Sequence, residues 1–152
     1  MFKKLLILSL TVIALASCKK DKDDTSSTVH LSAKIDGVST NFNTTVSAVK
    51  YDNGNNITII GVGGSASQLY PAFVIDITSD QPITAKTYSA SPNYDVDIQY
   101  AISSSELFES DNDFTVNVTS ISATEIKGTF SGKITDGSAV KNITEGSFYA
   151  KF

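Results

Sequence analysis

Apolar and polar residues alternate with a period of two through most of this chain. The longest run is Ile126, Gly128, Phe130, Gly132 and Ile134, interleaved with Lys127, Thr129, Ser131, Lys133 and Thr135. Successive side chains of an extended strand point to opposite faces, so this pattern buries one face and wets the other. Wound as a helix, the same residues would scatter around the circumference. Leu31, Ala33 and Ile35 repeat the pattern, as do Phe73, Ile75 and Ile77, then Val96, Ile98 and Tyr100, then Phe114, Val116 and Val118. Turn residues separate the runs: Asp36-Gly37, the stretch from Asp52 to Asn56, Gly63-Gly64, Ser79 to Pro82, and Asp136-Gly137. Asp-Gly between alternating runs is a two-residue hairpin signal. The spacing predicts strands over 29–35, 38–42, 46–51, 57–62, 72–77, 83–89, 94–102, 114–119, 126–135 and 147–152. Only 103–109 reads as a helical turn. About nine or ten short strands with regular turns predict an all-β, antiparallel, two-sheet β-sandwich, with a calycin-like β-barrel as the alternative.

The first residues follow a different rule. Lys3 and Lys4 precede an apolar run from Leu5 to Ala16 that only Ser9 and Thr11 interrupt. That run is too short for a hydrocarbon core, which needs about 20 residues. A positive start, a short apolar stretch and small residues before a cut point describe a secretory signal peptide. Its end, Leu15-Ala16-Ser17-Cys18, resembles a bacterial lipobox. The resemblance implies cleavage before Cys18 and lipid on its sulfur. Two or more acyl chains would anchor the protein stably where one would not. Cys18 is the only cysteine, so a lipidated chain has no thiol left for a disulfide or a Cys-ligated metal. The expected organisation is a signal peptide over 1–17, a lipidated cysteine and flexible tether over 18–28, and a single domain over 29–152.

The tether from Lys19 to Thr28 has no apolar residue and cannot bury enough surface to order itself. As a random coil it reaches roughly 16–20 Å. Its acids, Asp21, Asp23 and Asp24, resemble the export signal of Bacteroidetes surface lipoproteins. That implies an outer-membrane anchor facing the cell exterior, with the periplasmic face as the alternative.

Composition narrows the partners. Sixteen acids stand against twelve lysines, giving a formal net charge of −4, and arginine is absent. Phosphate recognition favours basic patches and arginine forks, so nucleic acid is not an expected partner. Tryptophan is absent too, although six tyrosines and eight phenylalanines are present.

Residues that could carry chemistry are few. His30 is the only histidine and alternates onto the polar face of the first strand, a poor place for a hydrolase base. Gly61-Val62-Gly63-Gly64 ends a strand without a GK[ST] sequence, so it reads as a turn and not as a phosphate loop. Asp95 and Asp97 share a strand face about 7 Å apart, within range of a carboxylate pair, but their face is the wet one. Glu109, Asp111 and Asp113 offer oxygen ligands from one loop and are the calcium candidates, although the loop does not follow the EF-hand pattern. Asn43, Asn56, Asn117 and Asn142 fit N-x-[ST] and carry no reading in a chain so rich in these residues. Tyr51, Tyr70, Tyr88 and Tyr149 could stack on sugars if exposed. No cofactor and no catalytic residue is expected.

Two blocks resemble a known group. "LSAKIDGVSTNF" (31–42) and "IKGTFSGKITDGSAVKNITEGSFYAKF" (126–152) are similar to small Bacteroidetes lipoproteins with a DUF6252-like uncharacterised domain. The resemblance implies an all-β envelope protein of unknown function and brings no catalytic residues. The expected role is a non-enzymatic cell-surface binding or accessory module for a glycan or protein ligand, held to the membrane by its lipid. The alternatives are a structural or assembly lipoprotein of the periplasmic envelope and a calycin-like small-ligand carrier.

Overall fold

The computed structural model describes residues 28–65, 67–89 and 96–152. The leader, Cys18 and the acids of the tether lie outside the described residues, as do Tyr94 and Asp95. Eleven strands form: β1 (His30–Ile35), β2 (Val38–Asn41), β3 (Thr45–Tyr51), β4 (Asn56–Val62), β5 (Ala72–Thr78), β6 (Thr87–Ser89), β7 (Val96–Ser103), β8 (Glu106–Ser110), β9 (Thr115–Ile121), β10 (Glu125–Thr135) and β11 (Val140–Lys151). Every ladder between them is antiparallel.

The all-β, antiparallel expectation holds. Nine strands follow one another in the order β2-β1-β11-β10-β8-β7-β5-β4-β3, and β9 branches from β10 and carries β6. This continuous sheet curls into a half-barrel. The two layers of the expected sandwich are the two halves of that sheet. Phe73 of β5 meets Phe130 of β10 at 5.2 Å between ring centroids, although β7 and β8 separate their strands along the ladder.

Local irregularities produce the curl. Strand β10 pairs with β9 from Ile126 to Ser131 and with β8 only at Ile134 and Thr135, so it splits the sheet. Opposite the split, β11 slips register against both its neighbours, between Ser32 and Lys34 of β1 and between Phe130 and Gly132 of β10. Such bulges bend a strand and increase its twist. At this bulge Glu145 of β11 takes φ 50 and Gly132 of β10 takes φ 145. Gly146 is needed for close approach instead, because a Cβ there would meet the Phe130 ring and carbonyl.

Three further elements differ from expectation. Residues 103–109 form a hairpin turn and β8 instead of a helical turn, and β8 buries Phe108. The strand expected over 83–89 shrinks to Thr87–Ser89. Strand β11 starts at Val140, seven residues before the apolar alternation that marked it. Its first half is mostly polar, and Ile143 alone among residues 140–145 is buried, so alternation gives little signal there. At the Asp36-Gly37 hairpin both residues take positive φ (50 and 81), as a two-residue turn of this kind requires.

The core is aromatic and aliphatic, with Phe42, Phe73, Phe108, Phe114 and Phe148 fully buried and no buried charged residue among those described. Strand β3 closes the open side. Asn43 bridges Val62 in parallel, and the Gly61 backbone lies against Leu31 and Phe42. At the far end of β3, Lys50 Nζ donates to the Ser122 carbonyl at 2.7 Å and stands 3.7 Å over the Phe152 ring.

Candidate functional site

The site begins at the β3–β4 hairpin. Asp52, Asn53 and Gly54 all take positive φ (50, 58 and 93), so the chain turns through a short 3₁₀ segment at Asp52–Gly54. Asn and Asp tolerate this conformation better than other side chains do. The hairpin tip is held from outside as well. Ile83 N–H donates to the Gly54 carbonyl at 2.8 Å, and Ser79 N–H donates to the Asn55 carbonyl at 2.9 Å.

Register then aligns the side chains. Tyr51 pairs with Asn56 across β3 and β4, Thr58 pairs with Asp76 across β4 and β5, and Asp76 pairs with Asp97 across β5 and β7. These residues point outward, because Ile57 and Ile59 between them point into the core. They enclose an open cleft of about 510 Å³ walled by Tyr51, Asp52, Asn56, Thr58, Asp76 and Thr78. Tyr51 is 51% exposed, unusual for so large a ring.

Hydrogen bonds set the polarity of this cleft. Asn56 Nδ2 donates to Asp52 Oδ2 at 2.6 Å, which fixes the amide orientation. Asn56 Oδ1 is then the inward atom; it is buried and has no hydrogen-bond partner. A buried acceptor without a donor costs about 1–3 kcal/mol, a cost that the hairpin carries. Thr58 Oγ1 donates to Asp76 Oδ1, and Ser110 Oγ donates to Asp97 Oδ1 at 3.3 Å. Directly opposed like charges destabilise a ladder, and these hydroxyls offset part of that cost at Asp76 and Asp97.

Two other clefts are open to solvent. One of about 430 Å³ lies on the other side of Tyr51, between the hairpin tip, Pro82 and Ile121. The other, of about 500 Å³, crosses the outer face of β6, β9, β10 and β11 along Thr87, Asn117, Thr129 and Ser147.

The remaining candidates scatter. Asp111 takes the Asn112 N–H on its own carboxylate at 2.7 Å, and Asp113 pairs with Lys133 at 3.2 Å. Glu109 is exposed on β8 opposite Gln99. These three do not converge; among the described residues no three acids, histidines or cysteines gather to hold a metal ion. Asp97 faces Asp76 across the ladder, a partner that sequence spacing did not suggest, while Asp95 lies outside the described residues. His30 Nδ1 sits 3.3 Å from the Thr28 carbonyl, with the Tyr149 ring edge-on at 6.5 Å.

Of the four tyrosines, Tyr51 alone is presented to solvent. Tyr88 and Tyr149 are buried and Tyr70 is half-buried. Tyr149 points outward, but Lys127 covers its ring at 4.5 Å. Its hydroxyl donates to Glu125 Oε2 at 2.8 Å. That hydrogen bond is the main reason the Glu125 carboxyl sits below the usual range and the Tyr149 hydroxyl above it.

The Tyr51 cleft joins residues that sequence reading kept apart. Asp52 and Asn56 had read as turn, and Asp76 as a wet position on a strand. The usable signal was the pairing of 57–62 with 72–77, which puts Thr58 against Asp76. Together they define an all-β half-barrel with an open, acceptor-rich cleft beside an exposed aromatic ring. No protein-family model, curated protein or solved structure matches the chain.

Proposed function

We propose that this chain is a lipid-anchored, non-enzymatic binding module of the outer membrane, displayed on the cell surface, with its ligand contacts at Tyr51. The anchor rests on Lys3, Lys4, the apolar run to Ala16 and the lipobox-like Leu15-Ala16-Ser17-Cys18. The observation that carries the binding role is the Tyr51 cleft, which sets a half-exposed ring beside the Asp52 and Asp76 carboxylates. Concave sites with a few convergent polar groups are the usual ligand sites of proteins. Binding is favoured over catalysis because the cleft offers acceptors and hydroxyls, while the chain's only histidine stands on β1 against Tyr149. The barrel interior is filled by Phe42, Phe73, Phe114, Phe130 and Phe148, which favours an outer cleft over an internal carrier site.

Protease treatment of intact cells, with a periplasmic protein as control, tests the display. The domain is expected to be shaved from whole cells, and metabolically supplied palmitate is expected to label the wild-type chain and not Cys18→Ser. Protection until the envelope is opened would replace this reading with a periplasm-facing assembly role. A wild-type chain that takes no palmitate label would remove the lipid anchor.

A further inference from the structure

Resting on that reading of the Tyr51 cleft, we infer that its ligand is a neutral pyranose of a glycan chain, stacked on the Tyr51 ring with its hydroxyls donating to Asp52 and Asp76. Three observations converge on this chemistry. The first is an excess of acceptors. The cleft wall carries two carboxylates, Asp52 and Asp76, with no lysine among its lining residues. Carboxylates are acceptor-only and each can take two hydroxyls, so the ligand must bring donors. Sugars that carry carboxylate or phosphate would meet like charge here and are disfavoured.

The second observation is the wall itself. Tyr51 is 51% exposed and backed by the hairpin tip, which two hydrogen bonds from the β5–β6 connection hold in place. An exposed tyrosine gives a flat, rigid surface at low conformational cost. The C–H face of a pyranose fits such a surface while its hydroxyls reach the rim.

The third is the spread of the acceptors. One oxygen each of Asp52 and Asp76 is already bonded to Asn56 and Thr58. Among the described residues no three acids, histidines or cysteines gather to hold a metal ion. A compact ammonium group wants its acceptors gathered at one point. A ring with donors on successive carbons matches acceptors distributed along a wall. The cleft of about 510 Å³ is also in the size range of a small-ligand site, about 300–1,000 Å³.

The test uses the full-length lipoprotein in detergent and titrates maltohexaose, cellohexaose and mannohexaose. Hexagalacturonate serves as the anionic control and a glucosamine hexamer as the cationic one. The chain has no tryptophan, so its intrinsic fluorescence reports tyrosine directly. Saturable binding of at least one neutral hexamer is expected, with none of hexagalacturonate. Tyr51→Ala should weaken that binding about tenfold and Tyr51→Phe by no more than about twofold, the range of one aromatic contact. Asp76→Asn should weaken it without lowering the melting temperature, since it also relieves the repulsion with Asp97, and that excludes misfolding. Silence across the neutral sugars, binding indifferent to Tyr51→Ala, or preference for the glucosamine hexamer would each overturn the inference. None of these would touch the surface display, which whole-cell proteolysis decides separately. A chain that binds a neutral sugar yet resists shaving would overturn the display and leave the ligand standing.

Discussion

Tyr149 and Glu125 show how one hydrogen bond can work at both ends of the pH range. The Tyr149 hydroxyl donates to Glu125 Oε2 at 2.8 Å, and Lys127 reaches Glu125 Oε1 at 3.2 Å while covering the tyrosine ring. The hydrogen bond from Tyr149 is the largest cause of the lowered Glu125 pKa, and Lys127 adds to it. A carboxyl lowered on folding contributes stability above its unfolded pKa, about 4.3, and loses it as pH falls through the lower folded value. Tyr149 runs the other way, raised first by its bond to Glu125 and then by burial. Its contribution is complete below the unfolded value of about 10 and is lost as pH rises through the raised folded value. Tyr149→Phe is therefore expected to flatten both the acid and the alkaline limbs of a melting-temperature profile from about pH 3 to about pH 11. An unchanged profile would show that the pair is not coupled in solution.

Strand β3 is the element that turns a curled sheet into a nearly closed one. It pairs with β4 along its whole length and meets β11 only through side chains. At its start the following strand's Gly61 packs on Leu31 and Phe42, where a Cβ would approach to 2.8 Å of Phe42 Cβ. At its end Lys50 ties it to the β9–β10 turn and to the last residue of the chain. Lys50→Met keeps an apolar stem but removes the charge and the donor. It should cost about 1–2 kcal/mol, the sum of a cation–π contact and a hydrogen bond. Hydrogen exchange should rise in β3 and at Phe152 while β7 and β10 stay protected. Uniform loss of protection would mean that β3 does not open separately from the rest.

The molecule holds together through ring contacts that cross its interior. Phe73 touches Phe42 at 5.4 Å, Tyr100 at 5.9 Å and Phe130 at 5.2 Å, linking the β2–β3 connection, β7 and β10. Phe130 continues to Phe114 and Phe148. Burial also pushes the Tyr100 hydroxyl above its ordinary pKa, with Glu106 nearby adding to the effect. Removing the ring at the centre, in Phe73→Ala, should cost about 3–5 kcal/mol. Denaturant curves followed by circular dichroism and by tyrosine emission are expected to shift together, because both halves of the sheet share this core. Two separate transitions would show that the halves fold as independent units.

How much of this was legible beforehand follows from the range of each interaction. Period-two alternation is local, so the β class, most strands and the Asp36-Gly37 hairpin were readable from neighbouring residues. Polar segments such as the first half of β11, and the short β8, carry too little alternation to be seen that way. The positive φ on β11 falls at Glu145 and not at its glycine neighbour, because a bulge is defined by two partner strands and not by its own composition. The Tyr51 cleft needed still more: Tyr51 and Asp76 stand 25 positions apart in the chain and meet only once three strands are in register. Sequence by itself settles which residues seek the core, since burial preference belongs to each side chain. The path of the sheet, its curl and the grouping of Tyr51, Asp52, Asn56 and Asp76 depend on long-range pairing, whose register only the packed core selects.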